Sequence, residues 1–390
     1  MIAIFLIISI IILDFILYRG VKRMFHESRQ KFIKLAFIIQ AAIALAIVAF
    51  AVFQRFISDF RIIAYTYYFF GGIVAIYAPK GVFALFLIFD RKNKMTKFGI
   101  CASGFFTLLV VWGIIFGRYD FTVEHVEVTS DLLPPSFDGY TIVQLSDIHA
   151  GSFHRASHRF QKVVELVNAQ NPDLIVMTGD IVNNFADELL PFIPIFAQMN
   201  ATDGKFAVLG NHDYGGYYRW KSLSDSIINH INIKNNIELM GFVFLDNRSI
   251  AITRSADEQI ALVGVENWGI LKRFPKRADV QKALEPVRHI PFKIIITHDP
   301  SLWTEEIKTN TDVALTITGH THGMQMGIRL GSKRYSPAPL LPRFRQYWGG
   351  LYKRDEQYLY INRGLGVIGF PFRIGMPPEI TVITLQKVSN

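Results

Sequence analysis

Five short stretches concentrate the residues able to do chemistry: "SDIH" at 146–149, "TGD" at 178–180, "GNHD" at 210–213, "THD" at 297–299 and "GHTH" at 319–322. They supply Asp147, His149, Asp180, Asn211, His212, His298, His320 and His322, all oxygen or nitrogen donors. The single cysteine, Cys101, lies in an apolar stretch far from these, so no thiolate joins the set and no disulfide forms within one chain. Imidazole and carboxylate ligands without sulfur suit divalent first-row ions. A pair of such ions about 3.5–4 Å apart can clamp a phosphate and bring the pKa of a bound water to about 7. One carboxylate must then lie between the ions to offset their repulsion. Any one of these stretches alone has a bland reading, an Asx turn or a histidine in a glycine turn.

The elements that position them read as short strands. Each stretch follows an apolar run: "YTIVQL", "DLIVM", "KFAVL", "FKIII" and "DVALTIT". Near-continuous hydrophobicity over four to six residues points to strands buried on both faces. Five such strand ends all deliver donors, and ligands in α/β sheets collect beyond the carboxyl ends of strands. Asp147 and His149, two apart as they leave a strand, point to one side; His320 and His322 share that spacing. The run "ASHRFQKVVELVNAQ" has Phe160, Val163, Val164 and Val167 at helical spacing before the stop Asn171-Pro172. Later runs such as "QIALVGVENW", "QYLYINRG" and "EITVITLQ" look antiparallel. Two mixed sheets packed together with helices outside are expected for residues 118–390, an α/β domain.

In this order and spacing the five stretches resemble the calcineurin-like metallophosphoesterase superfamily, over about residues 140–325. The closing "INRGLGVIGFPFRIGMPPEITVITL" is similar to the ending of its membrane-associated bacterial branch. The resemblance implies a four-layer αββα sandwich and two divalent ions (Mn, Fe, Zn or Mg). It implies that Asp147, His149 and His322 bind one ion, that Asn211, His298 and His320 bind the other, and that Asp180 bridges. His212 would contact the phosphate and protonate the leaving oxygen, while a metal-bound hydroxide attacks phosphorus in line. Asp213 and Asp299 each follow a site histidine; orienting a neighbour and serving in a turn are both open readings. His154 and Arg363 are candidates for substrate contact, with a structural salt bridge the alternative for Arg363.

Residues 1–117 differ in kind. They hold 13 Lys and Arg against 4 Asp and Glu, whereas the remainder holds 28 of each, so the whole net charge of +9 belongs to this region. That excludes the nucleic-acid reading a basic chain invites. Four apolar stretches, about 2–18, 33–53, 62–89 and 98–117, approach the roughly 20 residues a bilayer crossing needs. The loops near 19–34 and 91–97 are strongly basic and the loop near 55–61 is not. Basic loops stay cytoplasmic, so a multi-pass protein of the plasma (inner) membrane is expected, with its catalytic domain on the extracytoplasmic side. Counting 62–89 as two spans or none would invert this.

The stretch 328–354 mixes Arg and Lys with Tyr, Phe, Trp, Leu and Pro. It suits a loop at a membrane interface, or equally a long ordered loop covering the core. A phosphodiester or lipid-linked phosphate is therefore the expected substrate. A phosphomonoesterase or protein phosphatase is the alternative, and a catalytically silent receptor is disfavoured because every ligand position is filled.

Overall fold

The computed structural model describes residues 2–22, 27–53, 60–89, 95–153, 155–255, 257–269, 276–331 and 333–388. The chain divides into two compact units. One comprises Met1–Phe116 with Gly369–Ile374, the other Gly117–Ile368 with Gly375–Asn390.

The first unit is helical: α1 (Ile2–Lys22), α2 (Glu27–Phe53), α3 (Phe60–Phe89) and α4 (Thr96–Ile115). The stretch 62–89, whose span count was open, lies within one continuous helix that contains Pro79. Among the described residues three segments, Arg29–Phe50, Gly71–Phe89 and Thr96–Tyr119, are long and apolar enough to cross a membrane by length and composition. The expected first crossing falls partly on residues 2–7, whose side chains lie outside those described. Its carboxylate Asp14 is buried and ion-paired, with Lys80 Nζ at 2.6 Å and the Tyr77 hydroxyl donating at 2.9 Å. Such pairing is how a charge is tolerated between apolar helices. Gly369–Ile374 packs here: a Cβ on Gly71 would lie 2.1 Å from Pro371 Cγ, and one on Gly113 would lie 2.8 Å from Ile374 Cγ1.

The second unit contains two six-stranded sheets. The first runs, edge to edge, Thr122–Ser130 (β1), Glu379–Lys387 (β14), Thr141–Leu145 (β2), Leu174–Thr178 (β3), Lys205–Val208 (β4) and Val243–Phe244 (β5). The second runs Gly350–Arg354 (β12), Gln357–Ile361 (β13), Leu315–Thr318 (β9), Lys293–Ile296 (β8), Glu258–Gly264 (β7) and Arg248–Ser255 (β6). Among the described residues, Ile328–Leu330 (β10) and Lys333–Tyr335 (β11) pair only with each other. The strands that carry the site, β2, β3 and β4 in one sheet and β8 and β9 in the other, are parallel. The later runs are mixed rather than simply antiparallel. β14 is antiparallel to β2 but parallel to β1, and β13 is antiparallel to β12 but parallel to β9.

Alternation of side chains sorts these strands into three cores. Ile142, Leu174, Val176 and Val208 meet Leu262, Ile294, Ile296, Leu315 and Ile317 between the sheets. Val143, Ile175 and Met177 face the other way, onto α5 (Gln161–Asn168), α6 (Ile193–Phe196) and α7 (Leu223–Leu239) through Val163, Val164, Val167, Phe196, Ile233 and Ile237. Ile295 and Val263 pack outward on α8 (Val280–Leu284) and Trp303. Helix, sheet, sheet, helix gives the expected four layers.

Candidate metal centre

Every donor named above sits just past the carboxyl end of β2, β3, β4, β8 or β9. The turns that carry them are unusual in the same way. Asp147, His149, Asp180, His320 and His322 all have φ between 48° and 75°, the left-handed region. Outside glycine such a backbone costs of order 1–3 kcal/mol per residue and persists where surroundings enforce it. Here it turns successive side chains back over the strand ends. Glycines make the turns tight: a Cβ on Gly210 would lie 2.2 Å from Asp180 Oδ1, and one on Gly319 would lie 2.3 Å from Asp147 Oδ2.

The donors form two clusters, Asp147, His149 and His322, and Asp180, His298 and His320. His149 Nε2 stands 3.1 Å from His322 Nε2, which is 3.2 Å from Asp147 Oδ1. His320 Nδ1 stands 3.0 Å from His298 Nε2, which is 3.1 Å from Asp180 Oδ2. Two ligands at right angles, each about 2.1 Å from one ion, lie about 3.0 Å apart, so these spacings fit a shared cation. Asp180 Oδ2 also lies 3.7 Å from His149 Nε2, between the clusters, while its Oδ1 accepts the His212 N–H at 2.8 Å.

Proton bookkeeping fixes which ring nitrogens carry lone pairs. The Ser152 hydroxyl donates to Val367 O at 2.9 Å, so it accepts from Asn183 Nδ2 at 3.2 Å. Asn183 Oδ1 then accepts from His149 Nδ1–H at 3.0 Å, which leaves Nε2 bare. His298 Nδ1 donates to Thr178 O at 2.8 Å, which turns Nε2 into its cluster. Ring nitrogens 3 Å from their neighbours, in a buried site, are arranged for a cation. The carboxylates favour positive charge at His298. Burial acts to lower the His298 pKa, but Asp180 and Asp147 outweigh it and raise it to about 10. Burial resists ionisation of Asp147 and Asp180, yet the neighbouring imidazoles hold both below the usual carboxylate range. Asn211 offers a further donor: its Nδ2 donates to the Tyr217 hydroxyl at 2.8 Å, and its buried Oδ1 has no hydrogen-bond partner among the described residues. An orphaned amide oxygen is costly unless it serves as a ligand. The residues present fit two divalent cations.

His212 stands beside the clusters. Its Nδ1 donates to Asn183 O at 2.9 Å, its ring stacks on Tyr217 at 4.2 Å, and its edge meets His149 at 4.8 Å. Burial lowers its pKa, against the opposing pull of Asp180.

Asp213 receives Ile181 N, Val182 N and Gly210 N at 2.8–3.0 Å, tying the loop after β3 to the loop after β4. Burial, then the charge of Asp180, pushes its carboxyl up to about 7. Asp299 accepts from Ser301 N and Oγ at 3.0 and 2.7 Å, which caps its own turn. Arg363 is buried, with Nε 2.6 Å from Glu379 Oε2, the salt-bridge alternative. His154 lies outside the described residues.

Sequence reasoning missed Asn183, Glu188 and Tyr217. Buried Glu188 accepts four backbone N–H groups, from Gly151, Asn183, Asn184 and Phe185, at 2.6–3.1 Å. It thereby holds the loop from which Asn183 reaches two histidines. Burial still pushes its carboxyl up to about 7 against those donors. The only sequence signal for Asn183 was its place three residues after Asp180.

Residues 140–324 match the family model described as calcineurin-like phosphoesterase. The chain belongs to this family, the metal-dependent metallophosphoesterases. It is 30% identical over 308 residues, 77% of this chain and 98% of the other, to the uncharacterised metallophosphoesterase YkuE of Bacillus subtilis. It is 29% identical over 288 residues, 72% of this chain and 61% of the other, to a Danio rerio transmembrane protein with metallophosphoesterase domain. Among solved structures, a phosphopantetheinyl hydrolase from Mycobacterium tuberculosis matches 60% of this chain and 91% of its own at 11% identity, with a TM-score of 0.34. That likeness is too slight to carry a conclusion.

Proposed function

We propose that this metallophosphoesterase is a multi-pass protein of the plasma membrane that hydrolyses a phosphodiester or a lipid-linked phosphate on the extracytoplasmic side. The observation that carries the chemistry is the pair of ligand clusters with Asp180 Oδ2 within 3.7 Å of a histidine of each; the buried Asn211 Oδ1, which has no hydrogen-bond partner among the described residues, adds support. Asp147, His149 and His322 would hold one divalent cation and Asn211, His298 and His320 the other, with Asp180 shared; the imidazoles favour Zn and Fe, and the oxygen donors suit Mn and Mg. Bound there, the ions supply Lewis acidity toward a phosphoryl oxygen and a water acidic enough to react near neutral pH.

The chain's own residues do the rest. Asn183 fixes His149 and His212 in one tautomer each, so both present Nε2 to the site. As an imidazolium His212 would carry a second proton at Nε2 for the departing oxygen; burial works against that charged form and Asp180 favours it. Its stack on Tyr217 keeps the ring in place. The membrane reading is supported by three apolar helices and by the basic residues of their loops.

The test uses the full chain in detergent, stripped of metal and refilled with Mn²⁺, Zn²⁺, Fe²⁺ or Mg²⁺. A chromogenic phosphodiester should be cleaved faster than the matching monoester, and Asn211→Ala should lower turnover about 10²-fold. His212→Asn should lower kcat roughly 10²–10³-fold with bound metal unchanged. A protein that binds no metal would overturn the reading, and a monoester preference would make it a phosphomonoesterase. Reporter fusions after residues 59 and 390 should both report the outside; opposite-side signals would sink the topology.

A further inference from the structure

We infer that the β10–β11 hairpin, with Leu340 beyond it, rests on the anionic lipid surface of the membrane in which the helices are anchored; this deepens the membrane reading above and depends on it. Register puts Ile328 opposite Tyr335 and Leu330 opposite Lys333. Alternation then places Ile328, Leu330 and Tyr335 on one face of the ribbon. These residues are 63%, 64% and 54% exposed, and Leu340 is 83% exposed. The opposite face is tied down, since Arg334 pairs with Glu124 of β1. The residues 328–354 contain no Asp or Glu, while Arg329, Lys333, Arg343 and Arg345 are exposed. Apolar side chains ringed by basic heads match an interface of acyl chains below and anionic headgroups above.

The root of the hairpin says which surface is in reach. Gln325 Oε1 accepts the N–H of Ile368 at 2.6 Å, and a Cβ on Gly375 would lie 1.9 Å from Gly327 O. Ile368 and Gly375 flank Gly369–Ile374, the segment that belongs to the helical unit. Both ends of that segment are therefore fastened immediately before β10, so the hairpin starts beside the points where the chain leaves the second unit and returns to it. The same strip borders the metal centre. Ser336 Oγ donates to Gly323 O at 2.7 Å, Thr321 Oγ1 donates to Trp348 O at 2.5 Å, and the His320 ring faces Phe344 at 6.1 Å. A phosphate carried on a lipid headgroup would reach His320 and His322 along this strip without leaving the surface.

The lone cysteine makes the test clean. The full chain is reconstituted into phosphatidylglycerol–phosphatidylcholine vesicles with one environment-sensitive fluorophore and nitroxide-labelled lipids as quencher. The label sits on native Cys101 of α4, which is exposed, or, in a Cys101→Ser background, on Leu330→Cys, Leu340→Cys or the distant exposed Glu285→Cys. Blue-shifted, quenched emission at 330 and 340 but not at 285, weaker in pure phosphatidylcholine, is the expected result. Quenching at 101 with 330 and 340 behaving like 285 overturns the inference and leaves the membrane reading standing. No quenching at 101 overturns both. A blue shift at 330 that follows protein density and not quencher would assign the face to a second copy of the chain and overturn the lipid contact.

Discussion

The two sheets contribute differently to the centre. The first sheet delivers both carboxylates and the amide, Asp147, Asp180 and Asn211, with one imidazole, His149; the second delivers imidazoles alone, His298, His320 and His322. Neither sheet holds a complete cluster. His322 closes the cluster begun by Asp147 and His149, and Asp180 closes the cluster begun by His298 and His320. Cations bound there would staple one sheet to the other, which would make metal binding and sheet packing one equilibrium seen from two sides. The orienting groups differ too. His149 takes its tautomer from a side chain, Asn183, while His298 takes its own from the backbone oxygen of Thr178. Of these two, His149 is the one that can be mis-set by substituting its partner's side chain.

Asp180→Ala should break this arrangement most severely, because its Oδ2 lies 3.7 Å from His149 of one cluster and 3.1 Å from His298 of the other. Turnover should fall about 10³-fold, and elemental analysis should find both ions depleted; loss of one ion alone would mean that Asp180 is not shared. Removing metal from the parent chain comes next. With each ion supplied at about 100 times its dissociation constant, its removal should withdraw about 2.7 kcal/mol of stability, read as a lower melting temperature that ion addition restores. Unchanged melting would break the staple. Asn183→Ala should weaken binding of one ion of the pair about 10–100-fold, with activity rescued by excess metal; equal weakening of both ions would remove the distinction between the sheets. The smallest effect belongs to Gln144, whose Nε2 donates to Thr178 Oγ1 and across to Thr318 O, both at 2.8 Å. Gln144→Ala should cost about 1–2 kcal/mol whether or not metal is bound, because it links the sheets independently of the ions.

The donors were legible because each is encoded locally: an apolar run long enough for one strand, then Asp, Asn or His at its end. The four layers were legible for a related reason, since alternating positions such as Ile142 and Val143 sort to opposite faces. Asn183 and Glu188 were not, because their roles come from partners brought together by folding. Asn183 reaches His149 from 34 residues away, and Gly151 reaches Glu188 from 37. An Asn in a loop and a Glu before an apolar segment carry no mark of that. The later strands do have the antiparallel neighbours their sequences suggest, but their parallel ones were hidden for the same reason, since β14 lies between β1 and β2, more than two hundred residues earlier in the chain.

Gly369–Ile374 bears on how this molecule can be taken apart. A boundary near residue 117 suggests one cut, helices before it and enzyme after it. The segment that packs on Gly71 and Gly113 makes the division discontinuous. Expressing 118–390 alone would carry Phe370, Pro371 and Phe372 into water without the helices they rest on. That exposed hook is a ready site of self-association. Because Ser152 donates to Val367 O, it is also attached to the first link of the chain that sets His149. A cut at residue 117 would therefore free a segment that adjoins the support of a site histidine.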